Sequence, residues 1–259
     1  MRKKFDRILL GVAVLGAAIA CATSSLAAEG GCKGLPAHDE LQKALSKARA
    51  EANGGLNLDM WATIVDRDGV VCAVAFTGKE RGDQWPGSRV ISAQKANTAN
   101  AFSLPKLALS TANIYSAVQP GGSLFGLQFS NPVDTAAAYK GPFTAYGTAK
   151  DPMVGARVGG VNVFGGGLAL YDAKGTLVGA IGVSGDTSCA DHNIAWKTRD
   201  FLGLDSVPGG VSPTKDDNII FDIGADGKSA SGFGQPLCGG KEKEIGEALP
   251  KTNPMGEKK

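Results

Sequence analysis

Residues 165–192 read GGGLALYDAKGTLVGAIGVSGDTSCADH. Two apolar runs flank Asp172-Ala173-Lys174-Gly175, whose turn chemistry predicts a hairpin with strands at 166–171 and 176–184. The polar cluster Gly185–Ser188 then starts a helix over 189–202, with Ile194, Thr198, Phe201 and Leu202 on one face. Ser188 and Asp191 fit a capping box at its start.

Upstream the same order occurs once before. MWATIVDRDGVVCAVAF, rich in β-branched residues and broken at Asp66-Arg67-Asp68-Gly69, predicts strands at 60–66 and 70–76. SRVISAQKANTANAF predicts a helix from an N-cap at Ser88, with Pro105 beyond its end. A leading helix over 38–53 follows from Leu41, Ala44, Leu45 and Ala48, stopped by Asn53-Gly54-Gly55. Hairpins followed by helices, without strand–helix–strand alternation, indicate an α+β fold built on an antiparallel sheet. The 104–160 stretch is a long loop with short helical pieces such as 133–139, and its Phe125, Phe129, Tyr139 and Phe143 argue against plain disorder. It suits a pocket lid or a partner surface. One short strand is expected at 218–223, within an extension over 205–240 packed on the domain, and residues 241–259 read as a solvated tail.

The ends fix the expected compartment. Arg2, Lys3, Lys4 and Arg7 precede an apolar run over 8–20 and the small-residue exit SSLAAEG, the three parts of a secretory signal peptide spanning residues 1–27. The run is too short to suggest a membrane span, and AIA before Cys21 lacks the leucine usual ahead of a lipidated cysteine. Loss of residues 1–27 removes four cations and Asp6, taking the formal net charge from +2 to −1. Nothing in that balance suggests a nucleic-acid partner or a polybasic membrane surface. A periplasmic or secreted location follows. Four cysteines then remain, Cys32, Cys72, Cys189 and Cys238. They permit three pairings. Cys32–Cys72 with Cys189–Cys238 is favoured, because each bond fastens a terminal extension to the centre; the alternative for Cys72 is a free buried thiol in an apolar strand.

The run GGGLALYDAKGTLVGAIGVSGDTSCADHNIA, with the Lys95–Ala99 helix and the VDRDGVV hairpin, resembles the GlcG/HbpS-like family of haem-binding or haem-degrading (DUF336-type) domains over residues 39–203, within a domain spanning 28–204. The resemblance implies a profilin- or PAS-like sheet flanked by helices, self-association into a homo-oligomer, and, for some exported members, haem binding in haem or redox sensing. The long 104–160 segment, the extra cysteines and the C-terminal extension depart from that plan.

Two readings of the glycine-rich stretch stand. In one, Gly182, Ser184, Gly185, Asp186 and Thr187 form a bare floor whose amides, at a helix start, take the carboxylates of a haem or of a small organic acid. In the other, the glycines let a helix or a second subunit pack closely on the strand. Histidine is scarce: only His38 and His192 occur. His192 shares a helical stripe with Trp196 and Arg199, a ligand, an apolar plate and a propionate partner in one row. His38 opens the first helix. Met60, Met153, Tyr139 and Tyr146 are weaker iron ligands whose ordinary role is packing. Asp66–Gly69 lacks the other ligands of a calcium loop, Gly182-Val183-Ser184-Gly185 is not a nucleophile elbow, and no phosphate-binding glycine motif occurs. The sequence therefore points to an exported, non-catalytic tetrapyrrole-binding protein. The rivals are a haem-degrading or peroxide-handling enzyme and a ligand-free accessory subunit of a periplasmic oxidoreductase.

Overall fold

The computed structural model describes residues 31–256, so the signal-peptide reading of residues 1–27 lies outside the described residues. The fold is α+β. Helix α1 (His38–Ala50) leads into strands β1 (Trp61–Asp66) and β2 (Val71–Phe76), then helix α2 (Ser88–Phe102). The long middle segment carries three single-turn helices, α3 (Thr111–Ile114), α4 (Leu127–Ser130) and α5 (Thr135–Ala138). Strands β3 (Gly167–Tyr171) and β4 (Leu177–Ser184) follow, then α6 (Ser188–Phe201) and α7 (Glu242–Thr252).

The two hairpins join through β1 and β4. The sheet order is β2-β1-β4-β3, antiparallel throughout, with Trp61 opposite Ser184 and Asp66 opposite Gly179. Alternation along each strand splits the core into two layers. Ala62, Ile64, Ile181 and Val183 pack with Leu41 and Leu45 of α1 and Ile194 and Trp196 of α6. Trp61, Val65 and Ala180 face the other way, onto Val90, Ala93, Ala96 and Ala99 of α2. The alanine-rich face of α2 lets its backbone come close to the sheet. Among the described residues no helix is long and apolar enough to cross a membrane.

Both disulfides, Cys32–Cys72 and Cys189–Cys238, form. Each closes a loop of 40 or 49 residues, worth about 4 kcal/mol in the chain-entropy account. The first ties the segment before α1 to β2. The second ties the C-terminal extension to the first turn of α6.

Four local expectations need correction. Gly87, not Ser88, precedes α2, and Ser88 is buried inside its first turn. The N-cap of α6 is Thr187, whose Oγ1 accepts from Ala190 N at 3.2 Å; Asp191 turns inward instead. Residues 218–223 form no strand. Asn218 N is held by Asp216 Oδ1 (2.9 Å) and Ile220 O by Gln235 N (2.8 Å), so the segment's polar backbone is satisfied by loops. Within the expected tail, residues 242–252 are helical, because α7 buries Leu249 and sets Gly246 against Ile219.

Candidate functional site

The glycine-rich stretch is occupied by the chain itself. A Cβ on Gly182 would overlap Ser92 O and Ala96 N of α2, and one on Gly185 would strike Asp59 O and the Met60 backbone. Ser184 is buried at the end of β4. The amides beyond it are spent internally. Gly185 N and Asp186 N both donate to Asp191 Oδ1, at 3.1 and 2.9 Å. Asp186 accepts from Leu56 N and Leu58 N at 2.8 and 2.9 Å, and Thr187 Oγ1 donates to Glu242 Oε1 at 2.8 Å. The expected slot for a flat anionic ligand is therefore filled: the close-packing reading of the glycines describes this region.

The stripe on α6 is likewise interior. His192, Trp196 and Arg199 are each 0–1% exposed. Arg199 grips both oxygens of Asp217, at 2.7 and 2.8 Å, and donates to Ala169 O at 3.0 Å. Trp196 Nε1 donates to Asn253 O at 3.0 Å, closing the C-terminal segment over the ring. His192 Nε2 lies 3.2 Å from Asn218 Oδ1 and 3.1 Å from Ile219 N. Burial, reinforced by the Arg199 charge, pushes His192 down to about 3, so its ring is neutral. These three side chains are buried and bind the C-terminal extension to the domain.

Asp191 supplies a feature that the sequence did not reveal. Its Oδ2 pairs with Lys95 Nζ at 2.7 Å, and Lys95 also donates to Val183 O at 3.0 Å. Both groups are buried. Desolvation lowers Lys95 and raises Asp191 to about 6, against their mutual attraction. The pair pins α2 to the start of α6 across the sheet.

The other histidine stands at an open site. His38 is the first residue of α1 and lies against the outer edge of β2, where its Nδ1 is 2.8 Å from Val74 O. A carbonyl only accepts, so Nδ1 carries the proton. Nε2 is the ring nitrogen left for a ligand, and it stands 3.9 Å from Asp39 Oδ1, beyond hydrogen-bond reach. His38, Cys72, Val74, Thr148, Ala149 and Val154 line a cleft of about 270 Å³. Three other clefts, of about 340, 360 and 540 Å³, hold no histidine, cysteine or methionine.

The cleft wall is fixed from below. Asp151 takes Arg89 through both oxygens, at 2.8 and 2.5 Å, and accepts from Gly147 N and Met153 N. Arg89 also donates to Ala138 O at 2.8 Å and lies 3.7 Å from the Tyr146 ring centroid. Just beyond, Gly155 N and Ala156 O bond Val71, so the loop continues the sheet past β2. Gln42 Nε2 donates to Phe76 O at 3.3 Å. Loop, His38 and Gln42 together engage the outward carbonyls of Val71, Val74 and Phe76, blunting an edge open to strand addition. Met60 and Met153 are fully buried core residues, and Tyr146 packs on the same core as Met153. Tyr139 is exposed.

The family model described as haem degrading protein HbpS-like matches residues 37–199. The chain belongs to this HbpS-like family. The match begins at the residue before His38 and ends at Arg199, so it takes in the cleft and both hairpins. Among solved structures, ORFY of Klebsiella pneumoniae, described by the DUF336 family model, is 26% identical; the match covers 63% of this chain and 86% of that one, with a TM-score of 0.43. A PduOC:heme complex is 21% identical over 65% and 94%, TM-score 0.45. A double mutant of HbpS from Streptomyces reticuli is 17% identical over 76% and 99%, TM-score 0.40. No curated protein matches the chain.

Proposed function

We propose that this HbpS-like protein is exported and binds haem, or a related tetrapyrrole, at the outer edge of β2, with His38 Nε2 as the iron ligand. One observation carries the reading: the Val74 carbonyl holds the proton on Nδ1 and leaves Nε2 free at a cleft. A backbone carbonyl behind the ring is the usual means of orienting a metal-binding imidazole. The family supports the choice of haem. The residues present fit one edge of the group: apolar Ala73, Val74, Ala149 and Val154 beside a single nitrogen ligand. When bound, the haem iron supplies redox and ligand-exchange chemistry; the chain's part is to orient the imidazole and exclude water along that edge.

The cleft falls below the roughly 300–1,000 Å³ of sites that enclose a small molecule. A single subunit therefore grips part of the macrocycle, and a second copy in a homo-oligomer completes the enclosure. Phe125, Phe129, Tyr139 and Phe143 are each 57–83% exposed on the long segment, apolar surface of the kind subunit contacts cover. The two disulfides, stable in an oxidising compartment, support export.

Titration of the purified protein with haem, followed by the Soret band, tests the reading. A saturable shift at micromolar haem is expected, abolished or displaced in wavelength by His38→Ala and unchanged by His192→Gln. A His38→Ala spectrum identical to the parent's refutes the ligand assignment. The family description favours a second reading, haem degradation. Loss of the Soret band with release of iron in the presence of a reductant distinguishes it from binding alone.

A further inference from the structure

The Cys32–Cys72 disulfide closes over a buried carboxylate. One oxygen of Asp66 and both sulfurs lie within 4.8 Å of one another. Asp66 is 1% exposed. Its Oδ1 accepts from Asp68 N and Val70 N, at 2.8 and 2.9 Å, which fixes the carboxylate in the β1–β2 turn. Its Oδ2 has no hydrogen-bond partner. An orphaned oxygen of this kind is costly in an interior. Gly31 borders it, and a Cβ at that position would collide with Oδ2. A covalent staple has no use for the carboxylate. The second disulfide shows the contrast: around Cys189 and Cys238 the polar neighbours are Ser188 Oγ, Gln235 Nε2 and Pro236 O, with no carboxylate among them.

Two thiolates and one carboxylate oxygen form a donor set for a borderline-soft divalent cation of the zinc class. We propose that reduction of Cys32–Cys72 converts the staple into a three-ligand site for such a cation, with Asp66 as the third ligand and water as the fourth. A dithiol supplies the two electrons and two protons. The sulfur–sulfur bond breaks, Cys32 and Cys72 become thiols, and the dithiol leaves as its own disulfide. The cation then displaces both thiol protons to solvent. Tetrahedral coordination with Zn–S of about 2.3 Å sets the sulfurs about 3.8 Å apart. Side-chain rotation achieves that from Cα atoms 5.4 Å apart. Both cysteines are half-buried, and Cys72 lines the His38 cleft, so a small reductant has a path. This site does not depend on haem binding.

The test uses the whole protein, reduced with a phosphine and titrated with Cd²⁺ alone, the thiolate-to-metal charge-transfer band serving as readout. One saturable Cd²⁺ per chain is expected on the Cys32–Cys72 pair. Cd²⁺ should protect Cys32 and Cys72, not Cys189 and Cys238, from alkylation mapped by mass spectrometry. Asp66→Asn keeps the Oδ1 acceptor of the turn and removes the anionic ligand, so it should weaken Cd²⁺ about tenfold or more with the fold retained. The oxidised protein should show no band. The proposal is overturned if the reduced protein, folded or unfolded, gives no band. Protection confined to Cys189 and Cys238, or unchanged affinity in Asp66→Asn, overturns it equally.

Discussion

The carbonyl oxygen of Ser92 lies directly over Gly182, where any Cβ would overlap it. This contact sets the distance between α2 and the sheet. Gly182 is in extended conformation, so a larger residue meets no backbone strain, only the helix. Gly182→Val should therefore cost about 1–3 kcal/mol by forcing α2 outward. Urea denaturation measures it. A neutral result would mean that the glycine face is not clamped by α2.

That contact also marks where the sequence stops being informative. The hairpins and α1, α2 and α6 are legible because β-branched runs, turn residues and apolar spacing act locally. GAIGVSG is ambiguous for a physical reason: absent side chains suit a flat ligand and a close helix equally, and only the position of Ala-rich α2 decides. The row His192, Trp196, Arg199 is a true helical stripe, but its outer cover comes from residues 216–219 and 253, far along the chain. Helix α7 escapes a sequence reading because Glu242, Lys243 and Glu244 look solvated, while its buried contacts are few. His38 stands out in the sequence by scarcity alone; the Val74 carbonyl that orients it lies 36 residues away.

Arg89 and Asp151 hold the wall of the His38 cleft, both nearly inaccessible. Removing one charge from a buried pair strands the other. Asp151→Asn should destabilise the protein by about 3 kcal/mol. It should also raise amide exchange first at Gly147 and Met153, which donate to this carboxylate. Exchange increased uniformly across α1 and the sheet would instead show a global effect, with no special hold on the wall.

Lys95 and Asp191 give a second, distinguishable case. Lys95→Met leaves Asp191 buried without its cation, a cost of about 3 kcal/mol at pH 7. Burial has already raised Asp191 to about 6, and losing Lys95 raises it further. The carboxyl then takes a proton at mildly acidic pH and sheds the unpaired charge. The difference in stability between Lys95→Met and the parent should therefore shrink from pH 7 to pH 5. A gap constant over that range would contradict the assignment.

The same carboxyl opposes His192 in the acid range. Burial holds His192 at about 3, against 6.5 in an unfolded chain. Between those values the unfolded chain binds a proton that the fold refuses, so stability falls with falling pH by up to about 1.4 kcal/mol per pH unit. Asp191, raised from 3.8 to about 6, works the other way: between those values the fold holds a proton that the unfolded chain releases, and stability rises as pH falls. The two slopes cancel across roughly pH 4–6, leaving His192 to dominate below about 4 and just above 6. Gln at position 192 retains an acceptor for Ile219 N and does not titrate. His192→Gln removes one of the two opposing slopes, so between about pH 6 and about pH 4, where the parent is nearly flat, the variant should gain stability as pH drops. Urea midpoints taken at unit steps from about pH 7 to about pH 4 decide it: parallel curves for parent and variant would show that His192 is not held neutral by burial.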